Sequence, residues 1–184
     1  MPELTPALSG EWRIDPDHSR IGFSTRHAMV TKVRGAFNEI DGTIMADAEN
    51  PLKSSAKVTV KVDSIDTRNA QRDEHLRTND FFDAPTHPEI TFESNRVDQI
   101  EEGNFIVSGD LTIRGVTQEV SLPIEFLGVE RDAFGSLRAG FEGSRRIDRQ
   151  QFGVRWNTAL DSGGLMVSDK ITLEFEISAI KVES

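Results

Sequence analysis

Residues 63–92, DSIDTRNAQRDEHLRTNDFFDAPTHPEITF, form the longest part of the chain that does not read as a strand. Val58, Val60 and Val62 precede it, alternating with Thr59 and Lys61. Ile90 and Phe92 follow in the same rhythm, the period-2 mark of a half-buried strand. Between them lie good helix formers (Ala70, Gln71, Arg72, Glu74, Leu76, Arg77), with no Gly or Pro before Pro85. The pattern predicts one helix over about 69–79, capped by Thr67 or Asn69. Asp73 and Arg77 stand four apart and can pair across one turn. Pro85 and Pro88 stop the helix from continuing.

This helix is polar, with Ala70 and Leu76 as its clear apolar residues. Such a helix is marginal alone and must be held by its surroundings. Phe81 and Phe82 follow it directly and are the natural anchors. One reading is a lid hinged between two strands, with Leu76, Phe81 and Phe82 turned inward. The other is an ordinary crossover helix on a sheet, with both phenylalanines as plain core; on pattern alone it is the commoner arrangement.

Working outward, nearly everything else alternates. Trp12 to Ile14 forms a short strand before the Asp15-Pro16-Asp17 turn. Ile21, Phe23 and Thr25 share one face of the next. Arg34 to Met45 reads as a longer strand whose apolar parity changes between Phe37 and Ile40, so a bulge or bend is expected there. Ile90–Phe92 and Arg96–Ile100 come next. Phe105 to Ile113, Val120 to Phe126 (with Pro123 inside it), Leu137 to Phe141 and Val167 to Ala179 follow, separated by turn residues. About eight strands at regular spacing favour an all-β barrel or sandwich. A long last strand that returns to the first favours closure, which removes exposed edges.

The 184 residues fit one domain, taken as 1–184. There is no cysteine, so disulfides and cysteine-based metal or redox chemistry are excluded. A net charge of −10 disfavours nucleic acid, where affinity rests on neutralising phosphates. No apolar run approaches the roughly 20 residues of a membrane-spanning helix. The start, MPELTPALSGEW, has neither a basic n-region nor an apolar h-region, so a cytoplasmic protein is expected.

Six stretches occur in one order: RIGFSTRHAM, VRGAFNEIDGTI, VDSIDTRNAQRDEHLRTNDFFD, HPEITFES, VSGDLTIRGVTQEVSLPI and IDRQQFGV. Together they resemble the YceI-like polyisoprenoid-binding family, over about Trp12 to Lys181. The resemblance implies an extended, eight-stranded antiparallel lipocalin-like barrel with the helix over it. It implies an apolar tunnel for a long isoprenoid lipid, such as an isoprenoid quinone or a polyprenyl phosphate, held for carriage, storage or stress protection. It allows a homodimer. Many relatives carry a signal peptide and live in the periplasm; this N-terminus departs from them.

Candidate tunnel residues are Phe23, Met29, Phe37, Leu76, Phe81, Phe82, Phe92, Phe141, Phe152, Trp156 and Leu165. By themselves such residues fill a core; with the resemblance they are expected to line a tunnel. Arg26, His27, Lys32 and Arg34 cluster without an intervening acid, and Arg26 and His27 are the headgroup candidates at the mouth. The lid's own cations, Arg68, Arg72, His75 and Arg77, are expected to pair with neighbouring acids. Arg145, Arg146, Arg149 and Arg155 form a second, less ordered basic stretch. No obligatory cofactor is expected beyond a bound lipid. The competing class is a hydrolase or metal enzyme, but His18, His27, His75 and His87 show no metal-ligand spacing and no GxSxG elbow is present. A binding protein rather than an enzyme is therefore expected.

Overall fold

The computed structural model describes residues 6–28, 30–158 and 166–183. Eleven strands and one α-helix follow the alternation. They are β1 (Gly10–Ile14), β2 (Arg20–His27), β3 (Thr31–Phe37), β4 (Ile40–Ala46), β5 (Ser55–Lys61), β6 (Ile65–Asp66), α1 (Ala70–Arg77), β7 (Glu89–Glu101), β8 (Asn104–Ile113), β9 (Val116–Arg131), β10 (Leu137–Asp148) and β11 (Lys170–Lys181). Eight of them, β1-β4-β5-β7-β8-β9-β10-β11, pair in an antiparallel ring. The ring closes where β1 returns to β11, with Ile14 opposite Ala179 and Trp12 opposite Lys181.

The count exceeds eight because long strands break in mid-course. The Asp15–His18 corner divides β1 from β2, and both lie along the same edge of β11. The parity change between Phe37 and Ile40 is the break between β3 and β4. A turn at Val62–Ser64 divides β5 from β6. Thus β1, β4 and β5 build the wall at one end, and β2, β3 and β6 continue it at the other. Conversely, the two strands expected before and after Ser94-Asn95 are one, β7, with a register shift between Ser94 and Arg96.

No strand pairing joins β6 to β7 among the described residues, and residues 67–88, which include α1, cross that gap. A hydrogen bond from Val62 N to Pro88 O (2.9 Å) ties its two margins. Elsewhere the turns are tight: Arg114 (φ 52°) and Gly115 (φ 72°) both take the left-handed backbone that a two-residue hairpin demands. Pro123 lies just past Glu125, the last β9 residue paired with β10, so its missing N–H interrupts no ladder bond there.

Strand alternation points one set of side chains inward. Trp12, fully buried, packs with Leu8, Val97, Phe105, Phe126, Ala139 and Ala179, and fills the end remote from α1. Its indole N–H donates to Leu8 O at 2.7 Å, so the one polar atom of the ring is satisfied. At the helix end, Phe23, Phe37, Ile40, Val60 and Ile65 form a second cluster, and Phe81, Phe92, Leu111, Ile113 and Phe152 a third.

One polar clasp holds the β1–β2 corner to the β9–β10 hairpin. Arg138 donates to Asp15 (2.8 Å) and to Asp132 (2.7 Å). Burial pushes the Asp15 carboxyl up, but hydrogen bonds from Arg138, His18 and the Asp17 amide outweigh it and hold it below the ordinary range. Asp132 is held low chiefly by its hydrogen bond from Arg138. Depressed folded-state values mean stability that is present above the unfolded carboxylate range, about pH 4, and lost as pH falls through the lower folded values. Arg138→Ala should therefore flatten the stability–pH curve below about pH 4, as well as lowering stability at neutral pH. Urea unfolding at stepped pH measures this; an unchanged acid slope would show that the clasp does not carry the linkage.

Candidate functional site

Between the Trp12 plug and the helix, the inward side chains do not meet, and a cavity of about 320 Å³ remains. That lies at the lower end of the range for small-molecule pockets. Along β11 it is lined by Ile171, Leu173, Phe175 and Ile177. Six residue steps at about 3.3 Å each make it some 20 Å long in that direction. Its wall is almost wholly carbon.

The few polar residues at the wall are mostly engaged. The Asp47 carboxylate accepts from Glu49 N and Asn50 N, and Ser54 Oγ accepts from Asp47 N. Glu174 pairs with Arg20 at 3.2 Å. The Arg149 guanidinium, only 5 % exposed, donates to the carbonyls of Val154, Trp156, Val167 and Ser168, and Asp169 lies 3.6 Å away. Burial pulls its pKa down against the opposing pull of Asp169 and Asp148. Its donors are occupied by backbone, so it fastens Val154 and Trp156 to Val167 and Ser168 rather than offering a free cation.

The helix is held by polar contacts, of which its pattern predicted the cap and not the rest. Asn69 caps it, its side chain accepting from Arg72 N at 3.0 Å. Asp73 does not pair with Arg77. Its buried carboxylate turns back and accepts from Thr67 N (2.9 Å) and Thr67 Oγ1. Arg72 donates to Thr67 Oγ1 (2.8 Å) and Thr67 O (2.6 Å), and Arg77 to Asp63 O (3.2 Å). The expected ion pairing of the lid's cations is confined, among the described residues, to His75 with Asp80 at 2.7 Å. From outside the segment, Arg114 donates to Asn79 O and Phe81 O, both at 2.6 Å. Strand β3 leaves room for this approach: a Cβ on Gly35 would come within 2.6 Å of the Phe23 ring and 2.8 Å of Thr67 Cγ2.

Phe23, Phe37, Leu76, Phe81, Phe82, Phe92, Phe141 and Phe152 all line the cavity, so Leu76, Phe81 and Phe82 do face inward from the lid. Phe82 meets Phe37 edge-on, ring centres 5.9 Å apart. Trp156 is not at the wall. It stacks behind Phe81 (5.3 Å) and beside His75 (4.9 Å), outside the tunnel. Arg26 and His27 are not at the wall either; both are exposed, and their backbone runs against residues 166–168 through Ser168 N to Arg26 O and Ala28 N to Met166 O. At the end of β2 both face solvent, outside the residues that line the cavity. Met29 and Leu165 lie outside the described residues. Lining residues missed from sequence include Phe105, Phe126, Phe175 and Ile177. Strand parity carried the signal for these, since each falls on the inward set of its strand. Nothing in the sequence pattern distinguished Arg149 from its exposed neighbours.

The arrangement suits a long apolar solute. No group of three or more His, Cys, Asp or Glu fit to hold a metal occurs among the described residues, and no helix there is long and apolar enough to cross a membrane. Residues 12–179 match the model of the YceI-like domain. A UPF0312 protein of Photorhabdus laumondii is 38% identical over 151 residues, covering 81% of this chain and 78% of the relative. The crystal structure of Burkholderia cenocepacia BcnA superposes with a TM-score of 0.76 at 24% identity, covering 90% of this chain and 98% of that one. A polyisoprenoid binding domain from Saccharophagus degradans superposes with a TM-score of 0.69 at 15% identity, covering 93% and 98%.

Two substitutions test how the lid is held. Asp73→Ala strips the partner from the buried Thr67 amide and hydroxyl, at a cost of about 1–3 kcal/mol. Phe82→Asp sets a charge against the Phe37 ring and the cavity wall, an expensive burial that should lower stability and weaken any apolar ligand. Thermal unfolding and binding of an apolar fluorophore read both; wild-type values in the Phe82 variant would remove that side chain from the site.

Proposed function

The chain belongs to the YceI-like family, and on that premise we propose that its cavity holds the hydrocarbon tail of a long isoprenoid lipid. The observation that carries the reading is the wall itself: some 20 Å of nearly continuous carbon, running from Leu8, Phe105 and Phe126 beside Trp12 to Leu76, Phe81 and Phe82 of the segment around α1. The Saccharophagus structure, a polyisoprenoid binding domain of the same fold, supports it. The lipid class extends to isoprenoid quinones and polyprenyl phosphates, and the purpose to carriage, storage or protection. A carrier fits better than a catalyst, because the acids at the wall, Asp47 and Glu174, are engaged by backbone amides and by Arg20.

Magnitudes favour the tail over the headgroup. Ten buried carbons at about 0.8 kcal/mol each contribute about 8 kcal/mol gross. A micromolar complex requires about 8.2 kcal/mol net. Longer tails offset the ordering cost of binding. A headgroup salt bridge in water contributes about 0–1 kcal/mol and is screened by salt.

Titration with matched isoprenoids tests the proposal. Shortening the tail should weaken binding far more than removing a charged headgroup, and raising the salt should change long-tail affinity only slightly. Converting Arg26 and Arg34 together to Ala should leave long-tail affinity within about fivefold. A short charged compound that bound as well as a long one would replace the tunnel with a surface anion site. Solvent extraction and mass spectrometry of gently purified protein identify the native occupant.

A further inference from the structure

Every strand of the ring has two neighbours, but β9 and β10 are joined over only part of their length. They pair from Leu137 opposite Arg131 to Glu142 opposite Glu125, and there their ladder ends. Beyond it, residues 116–124 pair with β8 and residues 143–148 with β11, and not with each other. The parting is bounded at both ends. At one, a Cβ on Gly143 would collide with Pro123 O, so the strands touch. At the other, Gln118 Nε2 donates to Gln151 O at 3.1 Å. Five residue steps from Gln118 to Pro123, at about 3.3 Å each, make it some 16 Å long. Both margins border the cavity, with Leu122 and Ile124 on β9 and Phe141 and Ile147 on β10. Arg145 shows that the wall is open there. It lies opposite Leu173, between Gly143 opposite Phe175 and Ile147 opposite Ile171. Cross-strand partners share a face, and Leu173, Phe175, Ile147 and Ile171 all line the cavity. Arg145 therefore belongs to the inward set of β10, with inward residues on either side of it, and yet it is exposed. Gln118, opposite the cavity residue Leu111, is likewise inward in parity and exposed. Side chains so placed find water through the parting.

We infer that this parting is the port by which a lipid enters and leaves the cavity, and that Arg145 is its gate. This rests on the tunnel reading above and adds the route to it. The parting runs along the strands, as the cavity does along β11, so an extended chain passes broadside and is not threaded from an end. A polar end then stays in water throughout, and the cost of drawing it along a carbon wall is avoided. No ladder hydrogen bond has to break. The lid is a poorer door. Asp73 ties it to Thr67, and Arg114 to Asn79 and Phe81, so its displacement breaks all of these bonds. The arginine suits a gate, because its flexible stem covers apolar surface while its guanidinium remains in water.

The test exploits the absence of native cysteine. Glu119→Cys and Arg146→Cys place one thiol on each margin of the parting, at two exposed positions, and a bis-maleimide joins them after folding. The probe is a pyrene-tipped hexadecane, and its uptake from and release to phosphatidylcholine vesicles are timed by fluorescence. Linking should slow both directions about tenfold and leave affinity within about twofold, because a narrowed route changes rates and not the bound state. Arg145→Trp, which sets a ring in the parting, should slow both as well, and Arg145→Ala should speed them. Ser55, exposed and at the cavity wall toward the Trp12 end, supplies the control: Ser55→Cys carrying a bulky maleimide should leave the rates unchanged. Unchanged rates in the linked protein overturn the port, and unchanged rates in both Arg145 variants overturn the gate. Slowing by the Ser55 adduct alone moves the route to the other end and overturns the inference, while leaving the tunnel reading intact. No retention of the probe by wild type removes both.

Discussion

The return of β1 to β11 is the pairing on which the rest depends. It brings Trp12 at the start of the chain opposite Lys181 at its end and turns an open sheet into a ring. Closure has two consequences. It leaves no edge in that ring to be covered. It also gives the sheet an inside, so the alternating faces of the ring strands must either fill one shared volume or leave part of it empty. Eight strands stand at the margin between these outcomes. Here the side chains meet around Trp12, while a cavity is left from Leu8 and Phe126 to Phe82.

Beyond the closed ring, where β2, β3 and β6 continue the wall, a gap is left. Because β6 has no pairing with β7, the segment 67–88 must bridge the gap, and it does so with few apolar residues to spend on packing. Leu76, Phe81 and Phe82 go to the cavity wall. What fixes the helix is instead the Thr67–Asp73–Arg72 arrangement beneath it and Arg114 reaching across from the β8–β9 hairpin. Polar anchoring of this kind leaves the inward face of the segment free to contact a ligand. A helix docked by a full apolar stripe would have closed the cavity with its own side chains.

Much of this was legible in residue order, for identifiable reasons. A strand with one buried face records its inward set as a period of two, so β8, β9 and β11 could be read with their orientation. The parity slip between Phe37 and Ile40 marked a real break. Asn69 announced the helix start because an N-cap acts within a single turn. The errors were of another kind. Asp73 and Arg77 have the spacing of a pair, yet Asp73 is drawn inward by Thr67, a contact set by how the strand enters the helix. Trp156 has the size and hydrophobicity of a tunnel residue, but the loop that carries it passes behind Phe81.

The sequence alone, then, determined the strand pattern, the single inserted helix, its cap and the family resemblance, because each is written in contacts or periodicities a few residues long. Only the tertiary structure decided that Arg26 and His27 face solvent and that Arg149 is buried and committed to carbonyls. Those outcomes are set by which strand ends and loops come together across the barrel. Ile14 and Ala179 are far apart in the chain, and only ring closure makes them neighbours.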